Sequence, residues 1–230
     1  MRDLAVVIPT LTGGEKLERA RAAVDGWPVE VAWDPERTGF AATVNRGLDR
    51  VAARRVLVLN DDAAPEPGCV EALAAVDAEL VGPVLLALDG TVESAGLRFS
   101  ERTGRVRALH TIPAARTEVD GLSGACLLLD GQRRFDEGYP HGFEDLALAR
   151  SVRRSGGRVV LEPAARCVHT GGATRDRRSA EATRDALVGH LRLVGPGPKR
   201  GLVTLYALLQ VLREGGDPAR LRALVAAFGR

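Results

Sequence analysis

Lysine is nearly absent: Lys16 and Lys199 are the only two among 32 basic residues, so the cationic surface is almost wholly arginine. Aromatic residues make up 4% of the chain, which leaves few platforms for base stacking. No nucleic-acid-binding motif accompanies them, and a nucleic-acid partner is not expected. Cysteine occurs three times, at Cys69, Cys126 and Cys167, without a CxxC pair. That pattern argues against a disulfide scaffold and a zinc ribbon and points to reduced thiols. Long apolar runs are also lacking. The longest, residues 201–212, is interrupted by Thr204 and Gln210 and falls short of the ~20 residues that span a bilayer. Residues 4–9 lack the apolar length and cleavage site of a secretion signal. A soluble, cytoplasmic protein is expected, with peripheral contact at the inner membrane face as an option.

What is present is enough for a packed core: 230 residues, 45% of them hydrophobic, which excludes disorder. A net charge of +2 conceals an asymmetry. Residues 1–145 hold 16 Lys/Arg against 24 Asp/Glu, and residues 146–230 hold 16 against 6. Such a division on a short chain calls for a site or surface that uses it.

The apolar pattern predicts strands at residues 4–9, 29–33, 56–59, 80–88, 125–129 and 158–161. Helices are predicted near 14–24, 42–53, 68–78 and 143–154. Strands alternating with helices imply βαβ units and a mostly parallel sheet, and the glycine-rich middle suggests an added antiparallel element. From Ser179 onward the pattern is helical only, broken at residues 195–198 and 215–218. The expected division is an α/β domain at 1–172 and a helical C-terminal extension at 173–230.

Ligands of an open α/β sheet gather beyond the carboxyl ends of its strands. Thr10, Asp34 and Asn60-Asp61-Asp62 fall there. Two adjacent carboxylates after a buried strand repel and lose hydration, and a divalent cation such as Mg²⁺ or Mn²⁺ offsets both costs. The same residues before Ala-Ala-Pro65 also suit a plain turn. Gly39 opens a helix whose N-terminus favours an anion, or it simply starts the helix with Asn45 facing solvent. Glu144 and Asp145 fit a first helical turn, where the dipole favours anions, and equally fit a carboxylate base facing a cleft. His169, before Gly171-Gly172, is either a metal ligand or a structural histidine.

Seven blocks run in order along the chain: Val-Val-Ile-Pro9-Thr10, Gly39 to Leu48, Leu57-Val-Leu-Asn60-Asp61-Asp62, Gly121 to Leu128, Phe135 to Tyr139, Glu144-Asp145 to Arg150, and His169 to Gly172. Together, over residues 4–175, they resemble the family 2 inverting glycosyltransferases with the GT-A fold, notably the rhamnosyltransferase-like branch. The resemblance implies transfer of a sugar from a nucleotide-diphosphate donor to the hydroxyl of a glycan or lipid-linked acceptor. It implies that Pro9, Thr10 and Asp34 edge the base pocket, and that Gly39 and Asn45 line the donor side. Asp61 would lie beside the donor ribose or sugar, with Asp62 and His169 on a divalent metal, Mn or Mg. Asp145 would be the general base and Glu144 would hold the acceptor. One departure stands out: Trp33-Asp34 runs almost directly into Gly39, where the family carries an extra helix and strand. That shortening motivates an alternative, a non-catalytic GT-A-fold binding or scaffold protein.

In the extension, Leu187, Leu191 and Val194, then Leu202, Leu205, Leu208, Leu209 and Leu212, form apolar stripes at helical spacing. They suit packing on the domain, a homodimer, or a membrane surface. Arg175, Arg177 and Arg178 are candidates to close over the diphosphate.

Overall fold

A computed structural model describes residues 3–139, 142–171 and 179–228. Arg175, Arg177, Arg178 and Gly172 lie outside the described residues. In chain order the elements are β1 (Leu4–Thr10), α1 (Glu15–Ala22), β2 (Val29–Trp33), α2 (Phe40–Leu48), β3 (Arg55–Leu59), β4 (Ala63–Pro65), α3 (Cys69–Ala74) and β5 (Leu80–Leu86). Then come β6 (Val92–Ser94), β7 (Leu97–Phe99), β8 (Val106–Ala108), β9 (Thr117–Glu118), β10 (Cys126–Asp130), α4 (Glu144–Arg154) and β11 (Val159–His169). Three helices follow: α5 (Ala180–Val194), α6 (Lys199–Arg213) and α7 (Pro218–Phe228).

The main sheet has the order β2-β1-β3-β10-β5-β11-β4. β1 pairs in parallel with β2 and β3, and β11 in parallel with β5. β10 is antiparallel to both β3 and β5, so β3 and β5 share one direction. Five of the seven strands on this path therefore run the same way, which gives the mostly parallel α/β sheet that the alternating pattern predicts.

Every residue of β1 is buried, as expected of a central strand covered on both faces. Alternation sorts the side chains. Leu4, Val6 and Ile8 join Leu17 and Ala20 of α1 and Leu73 of α3 in one layer. Val7 joins Val44 and Leu48 of α2 and Ala149 and Val152 of α4 in the other. Gly47 permits the second layer to close. A Cβ there would sit 2.5 Å from Val7 Cγ1 and 3.1 Å from Ala32 Cβ. The three cysteines, far apart in sequence, are free thiols buried together in the first layer.

Five short strands, β4 and β6 to β9, lie outside the segments the apolar pattern predicts, and β11 runs beyond its own. β4 is only three residues long and pairs antiparallel with the end of β11. β11 continues past residue 161 through a register shift between Glu162 and Arg166. Glu162 and Pro163 break the apolar run there, and the buried Glu162 carboxylate is paired with Arg116.

The chain divides into two compact units. One gathers the main sheet and its helices; the other gathers α5–α7 with the Phe99–Val106 and Glu137–Glu144 segments. Within the second unit, Ser179 caps α5 by accepting from Ala182 N at 3.1 Å. Leu187, Leu191, Val203, Val211 and Leu224 form its core. His190 Nε2 donates to Gly104 O over 2.6 Å, and its ring stacks on Phe143 at 4.7 Å; a carbonyl only accepts, so the proton is on Nε2. No helix among the described residues is long and apolar enough to cross a membrane.

Candidate active site

Because β1 and β3 are parallel, their carboxyl ends lie at the same end of the sheet. Because β10 is antiparallel, its start lies there too, with Cys126 opposite Leu59. Thr10, Asn60-Asp61-Asp62 and Gly124-Ala125 therefore share one rim. The contacts are direct. Thr10 Oγ1 donates to Asp61 Oδ2 at 2.5 Å and accepts from Gly13 N at 3.0 Å. Asn60 N donates to Ala125 O at 2.9 Å. Burial pushes the Asp61 carboxyl up, the neighbouring Asp62 charge adds to that, and the Thr10 hydroxyl and Lys16 resist it. Pro9 sits one step back, buried within β1 opposite Ala32.

The β4–β11 ribbon brings in the histidine. Its register sets His169 opposite Ala63, and Asp62 O accepts from Thr170 N at 2.9 Å. His169 Nε2 lies 3.3 Å from Asp62 Oδ1, and Nδ1 lies 2.9 Å from Glu93 Oε2. Burial opposes a charge on this ring, but the two carboxylates outweigh it and raise His169 to about 10. Both carboxylates thus favour the protonated ring, and only with its Nε2 proton displaced would it be a metal ligand, Nδ1–H staying on Glu93. Burial likewise works against the Asp62 charge, and His169 and Lys16 outweigh it and hold the carboxyl below its ordinary value. Lys16 and Arg19 of α1 line the same shallow recess as Asp61, Asp62 and Thr170. Glu93, Lys16 and Arg19 escape the sequence reading. Glu93 lies 76 residues from His169, on a short strand with no motif around it.

Asp145, in the first turn of α4, accepts from Gly124 N at 3.1 Å and from its own neighbour Leu146 N at 2.7 Å. Burial pushes its carboxyl up despite both bonds. Gly124 allows this approach: a Cβ there would meet Phe40 at 3.2 Å and the Asp145 Cβ at 3.6 Å. Gly124 thus links Asp145 to the rim that carries Asn60. Glu144 is half-buried as the first residue of α4.

Asp34, Gly39 and Asn45 hold the adjoining loop and helix. Asp34 Oδ1 accepts from Thr38 N at 2.9 Å and Thr38 Oγ1 at 2.7 Å, and Oδ2 accepts from Gly39 N at 3.1 Å. Burial disfavours this anion, but those bonds prevail and lower Asp34 to about 2. The amide at the start of α2 is therefore capped by the chain's own carboxylate. Gly39 has φ 107°, a conformation strained for any residue with a side chain. Asn45 is turned inward. Its amide donates to Phe135 O at 3.0 Å and accepts from Phe135 N at 2.9 Å, tying α2 to the segment after β10.

The donor set near Asp62 suits a divalent ion. A carboxylate and an imidazole lie within contact of one another, and the Asn60 Oδ1 nearby is buried without a hydrogen-bond partner. Two such groups would leave positions open for further oxygen ligands, which Mg²⁺ and Mn²⁺ favour. Among the described residues no three His, Cys, Asp or Glu side chains converge as a complete metal cage.

No protein-family model matches the chain, and no curated protein matches it in sequence. Its fold does match solved structures. GalNAc-T7, solved with UDP, GalNAc and Mn²⁺, superposes with a TM-score of 0.58 at 13% identity over 83% of this chain and 47% of that one. The chain thus spans about half of that structure's length. TarS of S. aureus, residues 1–349, in complex with UDP-GlcNAc, superposes with a TM-score of 0.59 at 10% identity over 98% of this chain and 81% of that one. At such identities the likeness establishes the fold alone, and that fold is GT-A-like.

Proposed function

We propose that the chain is an inverting, metal-dependent glycosyltransferase, of the family 2 rhamnosyltransferase-like kind, that moves a hexosyl group from a nucleoside-diphosphate sugar to the hydroxyl of a glycan or lipid-linked acceptor. The observation that carries this reading is the pair of carboxylate centres on one rim of the sheet: Asp61-Asp62 after β3, and Asp145 held by Gly124 just before β10. The UDP and UDP-sugar in the two related structures support the donor class.

Each group has work suited to its surroundings. Lys16 and Arg19 offset the charge of the donor diphosphate beside two carboxylates that would otherwise repel it. Asp61, fixed by Thr10, faces the donor sugar or ribose. Asp62 and His169, the latter as neutral imidazole, would hold the divalent cation, which would supply Lewis-acid stabilisation of the departing diphosphate. Asp145 accepts the proton of the acceptor hydroxyl as the new oxygen–carbon bond forms and the carbon–diphosphate bond breaks. Its upward shift makes it a stronger base than an exposed aspartate. A single displacement needs no covalent intermediate and inverts the anomeric centre. Asp34 and Asn45 act by shaping the loop and helix rather than by meeting the donor themselves. Glu144 guides the acceptor.

Donor hydrolysis and transfer with Mn²⁺, across a panel of nucleotide sugars, tests the reading. Turnover that disappears in Asp62→Asn and Asp145→Asn upholds it; absence of turnover with every donor rejects it. The engagement of Asp34 and Asn45 within the fold favours one rival, a non-catalytic GT-A-fold binding protein. Calorimetry separates the two, since the enzyme requires metal-dependent binding of nucleoside diphosphate.

A further inference from the structure

We infer that α6 is a membrane-docking helix that lays this chain on an anionic bilayer surface. The twelve residues 201–212 carry no charge. Val203, Ala207 and Val211, four residues apart, face the core that α5 and α7 supply. The opposite side should then be polar. Instead it carries Leu202, Leu205, Tyr206, Leu208, Leu209 and Leu212, exposed by 37–50%. At the helical rotation per residue these six side chains fill an arc of about 160°. On α7, Val225 is 76% exposed.

On α6 itself charge appears only at the two ends of this band, and a further cation, Arg105, lies over the Tyr206 ring, 6.0 Å from its centroid. Lys199 and Arg200 stand in the first turn of α6, which has no acidic residue, and Arg213 in the last. Two cations at a helix N-terminus oppose its dipole; Lys199 has an exposed partner in Glu101 at 3.7 Å, a pair of small worth, and helix stability does not account for Arg200. Glu214, the next residue, is engaged at 2.7 Å by the buried Arg220. A wide apolar face bordered by cations is the pattern of a helix lying in a lipid headgroup layer.

A second copy of the chain is a poorer occupant. Six partly exposed side chains offer about 400 Å² on each copy, so a two-fold pair would bury about 800 Å², below the range of stable interfaces. An antiparallel pair would set Lys199 and Arg200 against the partner's Arg213, and a parallel pair would set like against like. Anionic headgroups favour every one of these cations. Docking of this kind suits the lipid-linked acceptor of the proposed reaction, but its test needs no turnover.

The test is co-sedimentation of the full chain with vesicles of phosphatidylcholine alone, or of phosphatidylcholine and phosphatidylglycerol in equal parts, at low and high salt. Binding to the anionic vesicles, weakened by salt and by omission of phosphatidylglycerol, is expected. The Leu205→Gln/Leu209→Gln variant should bind about 30-fold more weakly with an unchanged melting temperature, since both side chains face solvent. Lys199→Gln/Arg200→Gln should lose most of the preference for phosphatidylglycerol. No binding of the unaltered chain, or equal binding by the leucine variant, overturns the inference. So does a stable dimer in light scattering that the leucine variant dissociates.

Discussion

Replacing Asp34 with Asn probes the hinge between sequence and site, because one buried carboxylate organises the whole 34–39 turn. Its oxygens accept from Thr38 N, Thr38 Oγ1 and Gly39 N, and Arg46 Nη2 stands 3.3 Å away. The group falls from 3.8 to about 2 on folding. Each unit is worth about 1.4 kcal/mol, so the anion contributes roughly 2 kcal/mol at neutral pH. Because the folded value is the lower one, the stabilisation is complete above pH 4 and is lost as pH falls through 2. Asn has no charge, and its NH₂ end cannot accept from Gly39 N. Asp34→Asn should therefore melt roughly 4–8 °C below the unaltered chain at pH 7, and the gap should narrow as the pH falls from 4 toward 2. Circular dichroism melts over that range measure both. A gap within 1 °C at pH 7, or one that does not change with pH, would refute the assignment of Asp34 as the cap of this turn.

Other predictions follow from the same contacts. Asp145→Asn should lower kcat by about 10²–10⁴-fold while leaving UDP affinity intact in calorimetry. The unaltered enzyme should lose kcat/KM as pH falls through an Asp145 pKa that burial has raised above 3.8, because the base works only when ionised. Glu93→Gln removes the carboxylate that orients His169, and should weaken Mn²⁺ binding by about 10–100-fold in titration calorimetry, with unchanged affinity pointing to a purely structural Glu93. Gly47→Ala forces a methyl to within 2.5 Å of Val7 and should cost about 1–3 kcal/mol in urea melts.

The fold was legible wherever a segment's own pattern decides its structure. The alternating residues 29–33 form β2 as predicted, and the helices beyond Ser179 break at the Gly-Pro stretches where the chain cannot continue them. The three residues of β4 hold no periodicity, and Pro163 hides the continuity of β11. The site divides similarly. Asp61, Asp62 and His169 stand out because carboxylates and imidazole at strand ends carry a cost that calls for a partner, and Asp145 because it opens a helix beside Glu144. Glu93 does not, because its partner is set by sheet register across 76 residues. Asp34 and Asn45 look like ligand contacts in one dimension, and the fold adds what the sequence does not show, their bonds to Thr38, Gly39 and Phe135.

The position of β10 has a consequence for biosynthesis. β3 and β5 do not pair with each other; each pairs with β10, which begins 67 residues after the end of β3. Until residues 126–130 leave the ribosome, the β2-β1-β3 ribbon and the β5 strand each carry an open edge of Val and Leu. Non-local pairing of this kind is slow to form and prone to wrong partners. A chaperone that shields the nascent chain should therefore matter most in the window between synthesis of β3 and of β10, and a translational pause placed after β10 should raise the folded yield more than one placed before it.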